Sequence, residues 1–226
     1  MKFGVLLSGG KDSLYATWKI MQTGGEIACF ITINSQNAES YMFHTPNISL
    51  TRLQAKASGI TLLEEKTQGV EEEELDDLNN AITRAAKEFH LDGIVTGAIQ
   101  SVYQASRIER ICHQEGLWCI SPLWLCDQES YIRSLISDGF EVIIAGVYAD
   151  PFDASWLGTW IDNSFIDRIS KISGKYQISL AGEGGEYESF VCYAPFFKQR
   201  IIIKDADKIF EHGAGYYHVK EAGLIS

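Results

Sequence analysis

The sequence lacks the features that would mark a membrane-bound, secreted or zinc-binding protein. No apolar run approaches the length of a membrane span, and the N-terminus has no basic segment followed by a cleavage site. The five cysteines are odd in number and contain no C-x-x-C pair, which favours reduced thiols and argues against a zinc site. We therefore expect a cytoplasmic protein with no membrane partner.

Clusters of lysine and arginine are also absent. The 226 residues carry 19 basic and 30 acidic side chains, which gives a formal net charge of −11. The average field of such a chain repels a polyanion, so we expect no direct nucleic-acid partner.

One segment of the chain has the composition of a phosphate-binding turn. Residues 8–13 read Ser-Gly-Gly-Lys-Asp-Ser and lie between an apolar run and a helical pattern. A glycine-rich turn at this point aims backbone N–H groups and the positive end of the helix dipole at an anion. We predict that Lys11 supplies charge to phosphates and that Ser8 and Ser13 donate to their oxygens. A polyphosphate would repel Asp12 unless a cation lay between them, so we interpret Asp12 as a Mg²⁺ contact.

This segment is not a Walker A loop. That loop needs Gly-x-x-x-x-Gly-Lys followed directly by Ser or Thr, whereas Asp12 follows Lys11 here. The segment resembles instead the PP-loop, Ser-Gly-Gly-x-Asp-Ser, of the ATP pyrophosphatases. The resemblance implies an enzyme that splits ATP between the α and β phosphates, adenylates a substrate oxygen, and releases AMP and pyrophosphate.

Strands and helices alternate up to about residue 125. We predict strands at 3–7, 27–33, 61–63, 93–96 and 117–120, and helices at 11–22, 49–58 with Ser49 as cap, 71–89 and 101–114. Such an alternation indicates a parallel sheet with right-handed crossovers. Ligands bind beyond the carboxyl ends of parallel strands, so residues 8–13, 34–37 and 97–104 should surround one crevice.

The pattern changes after Pro122. We predict a helix at 129–137, a strand at 142–147, a helix at 163–173, and extended segments at 201–204 and 216–219. No Pro/Gly/Ser-rich linker separates the two parts, so they should pack firmly against each other.

A second segment, residues 182–190, concentrates acidic side chains among glycines. It reads Gly-Glu-Gly-Gly-Glu-Tyr-Glu-Ser-Phe and contains Glu183, Glu186 and Glu188. This composition disfavours a helix or strand interior, so we predict a loop. A solvated acidic turn is the ordinary interpretation. The alternative is a site for a cation or a basic substrate group, because three carboxylates held together need neutralisation.

Both segments belong to a set of short motifs that resembles the diphthine–ammonia ligase family over nearly the whole chain. The other motifs lie at residues 43–47, 54–55, 97–99, 103–104, 107–109, 122–124 and 156–158. The resemblance implies an α/β fold: a HUP-like PP-loop ATP pyrophosphatase domain with a parallel sheet at 1–125, and a smaller α+β substrate-binding domain at 126–226. It also implies amidation of diphthine on translation elongation factor 2, with ATP and ammonium consumed, and suggests a homodimer.

The resemblance also implies roles for particular residues. The implied catalytic residues are Lys11, Asp12, Glu183 and Glu186, and Asp12 is the metal contact for Mg²⁺. The implied ATP-binding residues are Ser8, Gly9, Gly10, Lys11, Asp12, Ser13, Thr32, Asn34 and Gly97. The implied substrate-binding residues are His44, Tyr103, Gln104, Arg107, Trp156, Glu183, Glu186, Tyr187 and Glu188. The glutamates suit the trimethylammonium group of diphthine, with Tyr187, Trp156 and Trp160 as cation–π faces, and they equally suit ammonium.

Several alternatives stay open. Arg107 is as consistent with an ordinary surface ion pair, and His44 with a satisfied loop histidine. The carboxylate could belong to another substrate, such as a cobalamin precursor, and the protein could be a non-catalytic ATP binder. A tRNA thiolase or lysidine-type enzyme would want a basic face or paired catalytic cysteines. The residues outside the motifs are too few for a glutaminase domain, so free ammonium is the expected nitrogen donor.

Overall fold

The computed structural model describes residues 1–35, 47–70 and 73–225, and its first half is a parallel sheet flanked by helices. The strands are β1 (Lys2–Leu6), β2 (Glu26–Ser35), β3 (Thr61–Thr67), β4 (Gly93–Val95) and β5 (Trp118–Ile120). All pairs are parallel, in the order β3-β2-β1-β4-β5. The predicted parallel sheet is confirmed. Its order reverses between β1 and β4, which is the switch point where such sheets bind ligands.

Four helices connect these strands: α1 (Lys11–Gln22), α2 (Thr51–Ser58), α3 (Glu73–Phe89) and α4 (Val102–Gln114). Helix α1 has the predicted bounds, and Ser101 caps α4 by accepting from the Gln104 N–H at 3.4 Å. The predicted Ser49 cap is wrong, because the chain enters α2 through a 3₁₀ turn at Ile48–Leu50 whose residues already have helical geometry. The start of α2 is instead held by the Thr51 hydroxyl, which donates to the Ile48 carbonyl at 2.7 Å.

The second half contains a four-stranded antiparallel sheet. Its strands are β6 (Glu141–Val147), β7 (Tyr187–Tyr193), β8 (Arg200–Glu211) and β9 (Ala214–Ile225), in the order β7-β6-β9-β8. Two helices, α5 (Gln128–Ser137) and α6 (Asn163–Tyr176), begin at the capping side chains of Asp127 and Asp162.

The predicted loop at 182–190 is wrong from Tyr187 onward, where β7 begins. Glu188 pairs across the ladder with Gly146 of β6. The side chains of Tyr187, Ser189 and Phe190 are buried. Pairing with β6 and burial in the core outweigh the weak strand propensity of this segment.

One hydrophobic core joins the two sheets. Phe3, Leu14 and Phe30 from the first half cluster with Ile143 and Phe190 from the second. A smaller cluster lies on the other face of the parallel sheet, between β2, β4 and helices α3 and α4. The second sheet is therefore packed directly against the first, next to β1 and α1. Within the three described ranges, no helix has the length and apolar character needed to cross a membrane.

Candidate active site

A cavity of about 530 Å³ opens where β1 and β4 end. Five of the six residues of the predicted phosphate loop line it, namely all except Gly9. Residues of β7 and of the turn before it form the opposite wall, and these include Glu183, Tyr187, Glu188 and Ser189. The structure thus brings the phosphate loop (residues 8–13) and the acidic segment (residues 182–190) to one cavity.

The phosphate loop is held in place by contacts from α2 and β7. Gly9 has φ +83°, a left-handed conformation that glycine adopts without strain. Its carbonyl accepts hydrogen bonds from the Val191 N–H at 3.1 Å and from the side-chain amide of Gln54 at 2.9 Å. Gln54 is fully buried, and its amide also donates to the Val191 carbonyl at 2.9 Å. The Gln54 side chain of α2 therefore links the loop to the second sheet through hydrogen bonds.

The second sheet also satisfies the start of helix α1. The N-cap position is Gly10, which has no side chain to accept a hydrogen bond. The Ser189 hydroxyl takes that role and accepts from the Lys11 N–H at 3.1 Å. Capping by a residue 178 positions away means that the phosphate loop is complete only when β7 is docked.

Gly97, at the end of β4, allows the closest backbone approach in the site. A Cβ atom there would lie 2.6 Å from the backbone carbon of Asp12 and 2.6 Å from the nitrogen of Ser13. Only glycine leaves room for the first turn of α1 to pack against this strand end.

Lys11 is directed at the start of β7 and at the turn that precedes it. Its ammonium donates to the Ala181 carbonyl at 2.6 Å and to an Asp12 oxygen at 3.1 Å, and its side chain is only 3% exposed. It also lies 5.1 Å from the centre of the Tyr187 ring. In this arrangement Lys11 offsets the negative charge of the cavity wall. Its predicted contact with phosphate stays a prediction.

Asp12 is fixed by two donors. One oxygen accepts from the Tyr131 hydroxyl at 2.9 Å and the other from Lys11. Burial and the Asp12 charge raise the pKa of Tyr131 well above its ordinary value, so this phenol stays a neutral donor. No group of three or more His, Cys, Asp or Glu side chains is placed to hold a metal in the described part of the chain. Asp12 therefore suits Mg²⁺ only as one ligand among phosphate oxygens, the usual situation for Mg²⁺ in nucleotide enzymes.

The three glutamates have three different environments. Both oxygens of Glu186 accept backbone N–H groups, from Ser179 at 2.7 Å and Gly184 at 2.8 Å, so this carboxylate holds the turn together. It faces a neighbouring open depression and does not line the cavity. Glu183 accepts from the Gln100 N–H at 3.2 Å, and burial, with a contribution from Asp12, raises its pKa.

Glu188 differs from both. Its Oε2 atom is buried and has no hydrogen-bond partner among the described residues. Burial raises the pKa of this carboxyl to about 7, and the positive charge of Lys11 opposes the shift. The structure therefore leaves this buried acceptor without a donor, in a residue that lines the cavity.

The backbone at Thr32 and Asn34 is predicted to hold adenosine, which stays a prediction, and the side chains of both residues turn away from the cavity. The Thr32 hydroxyl donates to the Leu7 carbonyl at 2.8 Å, and the Asn34 amide donates to Glu64 at 3.1 Å. Alternate residues of β2 face the cavity and, with neighbouring side chains, form an apolar wall that sequence reasoning missed: Leu6, Ile31, Ile33, Leu78 and Ile108. The period-2 pattern of β2 was the available signal. Such a wall suits the flat face of a base.

Some of the predicted substrate residues line the cavity and others do not. Gln104 lines the cavity, whereas the Arg107 guanidinium lies 3.4 Å from the centre of the Tyr103 ring, outside the cavity lining. Trp156 is buried, with the Arg168 guanidinium 3.5 Å from its ring centre, and Trp160 is 51% exposed. Neither tryptophan lines the cavity. His44 lies outside the described residues, as do residues 36 and 37 of the predicted crevice.

The fold and the site together define a class. A parallel sheet that carries Ser-Gly-Gly-x-Asp-Ser at its switch point is the arrangement of the PP-loop ATP pyrophosphatases. Two family models match the chain: the diphthamide synthase N-terminal domain matches residues 1–119, and the diphthamide synthase C-terminal domain matches residues 127–225. The chain therefore belongs to the diphthamide synthase family.

Curated relatives agree with the family models. A Homo sapiens protein named diphthine–ammonia ligase is 30% identical over 233 residues, which cover 95% of this chain and 86% of the relative. The protein of that name from Schizosaccharomyces pombe is 30% identical over 231 residues, and this chain spans 38% of its length. A solved structure titled as a predicted subunit of tRNA methyltransferase, from Methanocaldococcus jannaschii, aligns with a TM-score of 0.43 at 17% identity. The alignment covers 86% of this chain and 98% of the chain in that structure.

Proposed function

We propose that the protein is an ATP-dependent ligase that adenylates the carboxylate of diphthine on translation elongation factor 2 and amidates it with ammonium. AMP and pyrophosphate are released, and the reaction is the last step of diphthamide synthesis. The observation that carries this proposal is that the phosphate loop and the carboxylates of Glu183 and Glu188 line the same cavity. The names of the curated relatives support the same reaction.

The cavity has a suitable place for each part of ATP. The apolar wall around Ile31 and Ile33 would take the adenine ring, and the start of α1 with the hydroxyls of Ser8 and Ser13 would take the phosphates. Asp12, held by Tyr131 and Lys11, would contribute to a Mg²⁺ site together with phosphate oxygens. Bound there, Mg²⁺ would supply charge neutralisation to the pyrophosphate as it leaves.

Adenylation explains why the site needs a nucleotide at all. A free carboxylate does not react with ammonia because its leaving group would be oxide. Transfer of AMP converts it into a mixed anhydride with a good leaving group, and the protein then has to position the reactants and balance charge. Glu183, at the wall of the cavity, suits the cationic trimethylammonium group that diphthine carries.

The test combines the protein with ATP, ammonium chloride and elongation factor 2 that carries diphthine. We expect AMP and pyrophosphate in proportion to the amide, which mass spectrometry of the modified histidine detects. The Asp12→Asn variant should abolish both products. Asp76→Asn, at an exposed position of α3, should leave both unchanged. ADP and phosphate as products would refute the adenylation, and amidation only of another carboxylate would refute the substrate.

A homodimer and a cytoplasmic location belong to the same proposal. The family suggests the dimer. All five cysteines are free in the structure, as a reducing compartment requires. Sedimentation of the purified protein and localisation of a tagged copy test the two statements separately.

A further inference from the structure

The proposed reaction contains a proton transfer that the residues discussed above leave unassigned. Ammonium has no free electron pair, so it must lose a proton before its nitrogen can attack the adenylate. We infer that Glu188 binds the ammonium ion in the cavity and acts as the general base that removes this proton. The inference rests on the proposed function and names the residue that serves its second half-reaction.

Glu188 has a fixed position relative to the phosphate loop. It lines the cavity, and the next residue along β7, Ser189, accepts the Lys11 N–H at 3.1 Å. Two positions further on, the Val191 N–H donates to the Gly9 carbonyl at 3.1 Å. The strand that carries the carboxylate is thus bonded directly to the loop. A base needs this kind of rigid support to meet a reactant held there.

The open acceptor on Glu188 indicates a missing donor. Buried polar atoms are almost always hydrogen-bonded, and an ionised carboxylate can only accept. Glu186 uses both oxygens on backbone N–H groups, and Glu183 uses one on Gln100. Glu188 lines the cavity, and its buried Oε2 atom has no partner among the described residues. Ammonium is a small cation that carries only donors, which is what the cavity-lining Glu188 carboxylate lacks.

The charges around Glu188 suit a base that works near neutral pH. Lys11 faces it from α1, and Tyr148, which follows β6, faces it beside Gly146. Burial, together with the charge of Glu188 and a smaller effect of Tyr216 on β9, raises the pKa of Tyr148, so that phenol stays neutral. Burial of Glu188 raises its own pKa to about 7, against the effect of Lys11. A general base is most effective when its pKa is close to the working pH.

The step balances without a further reactant. The Glu188 carboxylate accepts a proton from ammonium, which leaves ammonia and a carboxylic acid. The nitrogen electron pair forms the bond to the acyl carbon, and the bond from that carbon to the AMP oxygen breaks with its electrons on AMP. The nitrogen then releases a second proton to water, and Glu188 returns its own proton to solvent.

The experiment separates the two half-reactions in the Glu188→Gln variant. Diphthine-dependent exchange of pyrophosphate into ATP reports adenylation, which needs no base for ammonium. Amide formation with ammonium should fall by roughly 10²–10⁴-fold, the usual contribution of a general base. Hydroxylamine is a nucleophile that is largely unprotonated at neutral pH, so the variant should form the hydroxamate at a rate close to that of the wild type.

Two further variants serve as controls. Glu183→Gln removes another cavity carboxylate and should affect ammonium and hydroxylamine alike. Glu221→Gln, at an exposed position of β9, should leave both reactions unchanged. In the wild type, the rate with ammonium should rise as the pH increases through about 7, whereas the rate with hydroxylamine should not follow this profile.

The inference is overturned if Glu188→Gln retains amide formation with ammonium, or if it loses ammonium and hydroxylamine reactions equally. Loss of pyrophosphate exchange in a variant that melts like the wild type would also overturn it, because Glu188 would then serve adenylation. In each of these results the wild type still amidates diphthine, so the proposed function stands. A wild type that neither exchanges pyrophosphate nor forms amide would overturn both.

Discussion

Replacing Gln54 with methionine tests whether the hydrogen bonds of this one buried side chain hold the phosphate loop against the second sheet. Gln54 is fully buried, and its amide nitrogen donates to the Gly9 and Val191 carbonyls, each at 2.9 Å. Methionine has a similar volume but no donor, so the substitution removes the two hydrogen bonds with little change in packing.

The expected loss of stability follows from these contacts. Each neutral hydrogen bond contributes about 1 kcal/mol net, and a carbonyl left without a donor costs roughly 1–3 kcal/mol. Gly9 keeps the donor from the Val191 N–H. The Gln54 Oε1 atom is buried without a partner, so its removal offsets part of the cost. The net loss should be about 2 kcal/mol, which lowers Tm by roughly 4–8 °C for a chain of this size.

Thermal and urea unfolding measure the stability, and calorimetric titration measures ATP binding. We expect Gln54→Met to weaken ATP binding about tenfold, because a loop that samples other conformations binds with reduced apparent affinity. Gln22→Met, at the exposed end of α1, is the matched control. If the Gln54 variant melts and binds ATP like this control, the Gln54 hydrogen bonds do not stabilise the loop and the reasoning is wrong.

Three further predictions use other contacts of the site. Gly97→Ala places a methyl group 2.6 Å from the backbone of Asp12 and Ser13, so it should cost about 3 kcal/mol or more and abolish ATP binding. Gly174→Ala, in open space on α6, should stabilise the protein by roughly 0.5–1 kcal/mol, and calorimetry compares the two. Ser189→Ala removes the acceptor of the Lys11 N–H, so urea unfolding should show a loss of about 1 kcal/mol that exposed Ser170→Ala does not share. Because the pKa of Glu188 is raised from 4.5 to about 7, the folded state binds more protons than the unfolded state between these pH values. Stability should therefore fall as pH rises across that window, by at most about 3 kcal/mol, and a urea midpoint for Glu188→Gln that shows the same fall would contradict this origin.

Local patterns in the sequence were sufficient for most of the first half of the fold. The bounds of α1, the alternation of strands and helices, and the place of the phosphate loop depend on neighbouring residues. A helix shows its period within a few turns, and a glycine-rich turn acts through its own backbone. The place of the switch point between β1 and β4 depends on the strand order, which the alternation and the handedness of the crossovers leave open.

The second half was less accessible to sequence reasoning. The acidic segment at 182–190 has a loop-like composition, yet Glu188 lies in β7 because β6 pairs with it and the core covers its neighbours. Strand formation depends on a partner strand that no local pattern identifies.

The sequence by itself determined that a phosphate loop and an acidic segment exist, and the family resemblance indicated the chemistry. Only the tertiary structure decided which atoms meet. Tyr131 reaches Asp12 across 119 residues, and Lys11 reaches the Ala181 carbonyl across 170. Both oxygens of Glu186 accept hydrogen bonds within its own turn, whereas Glu188, which lines the cavity, keeps a buried oxygen without a donor among the described residues. These differences arise from burial and hydrogen bonding between distant segments, which the order of residues along the chain does not show.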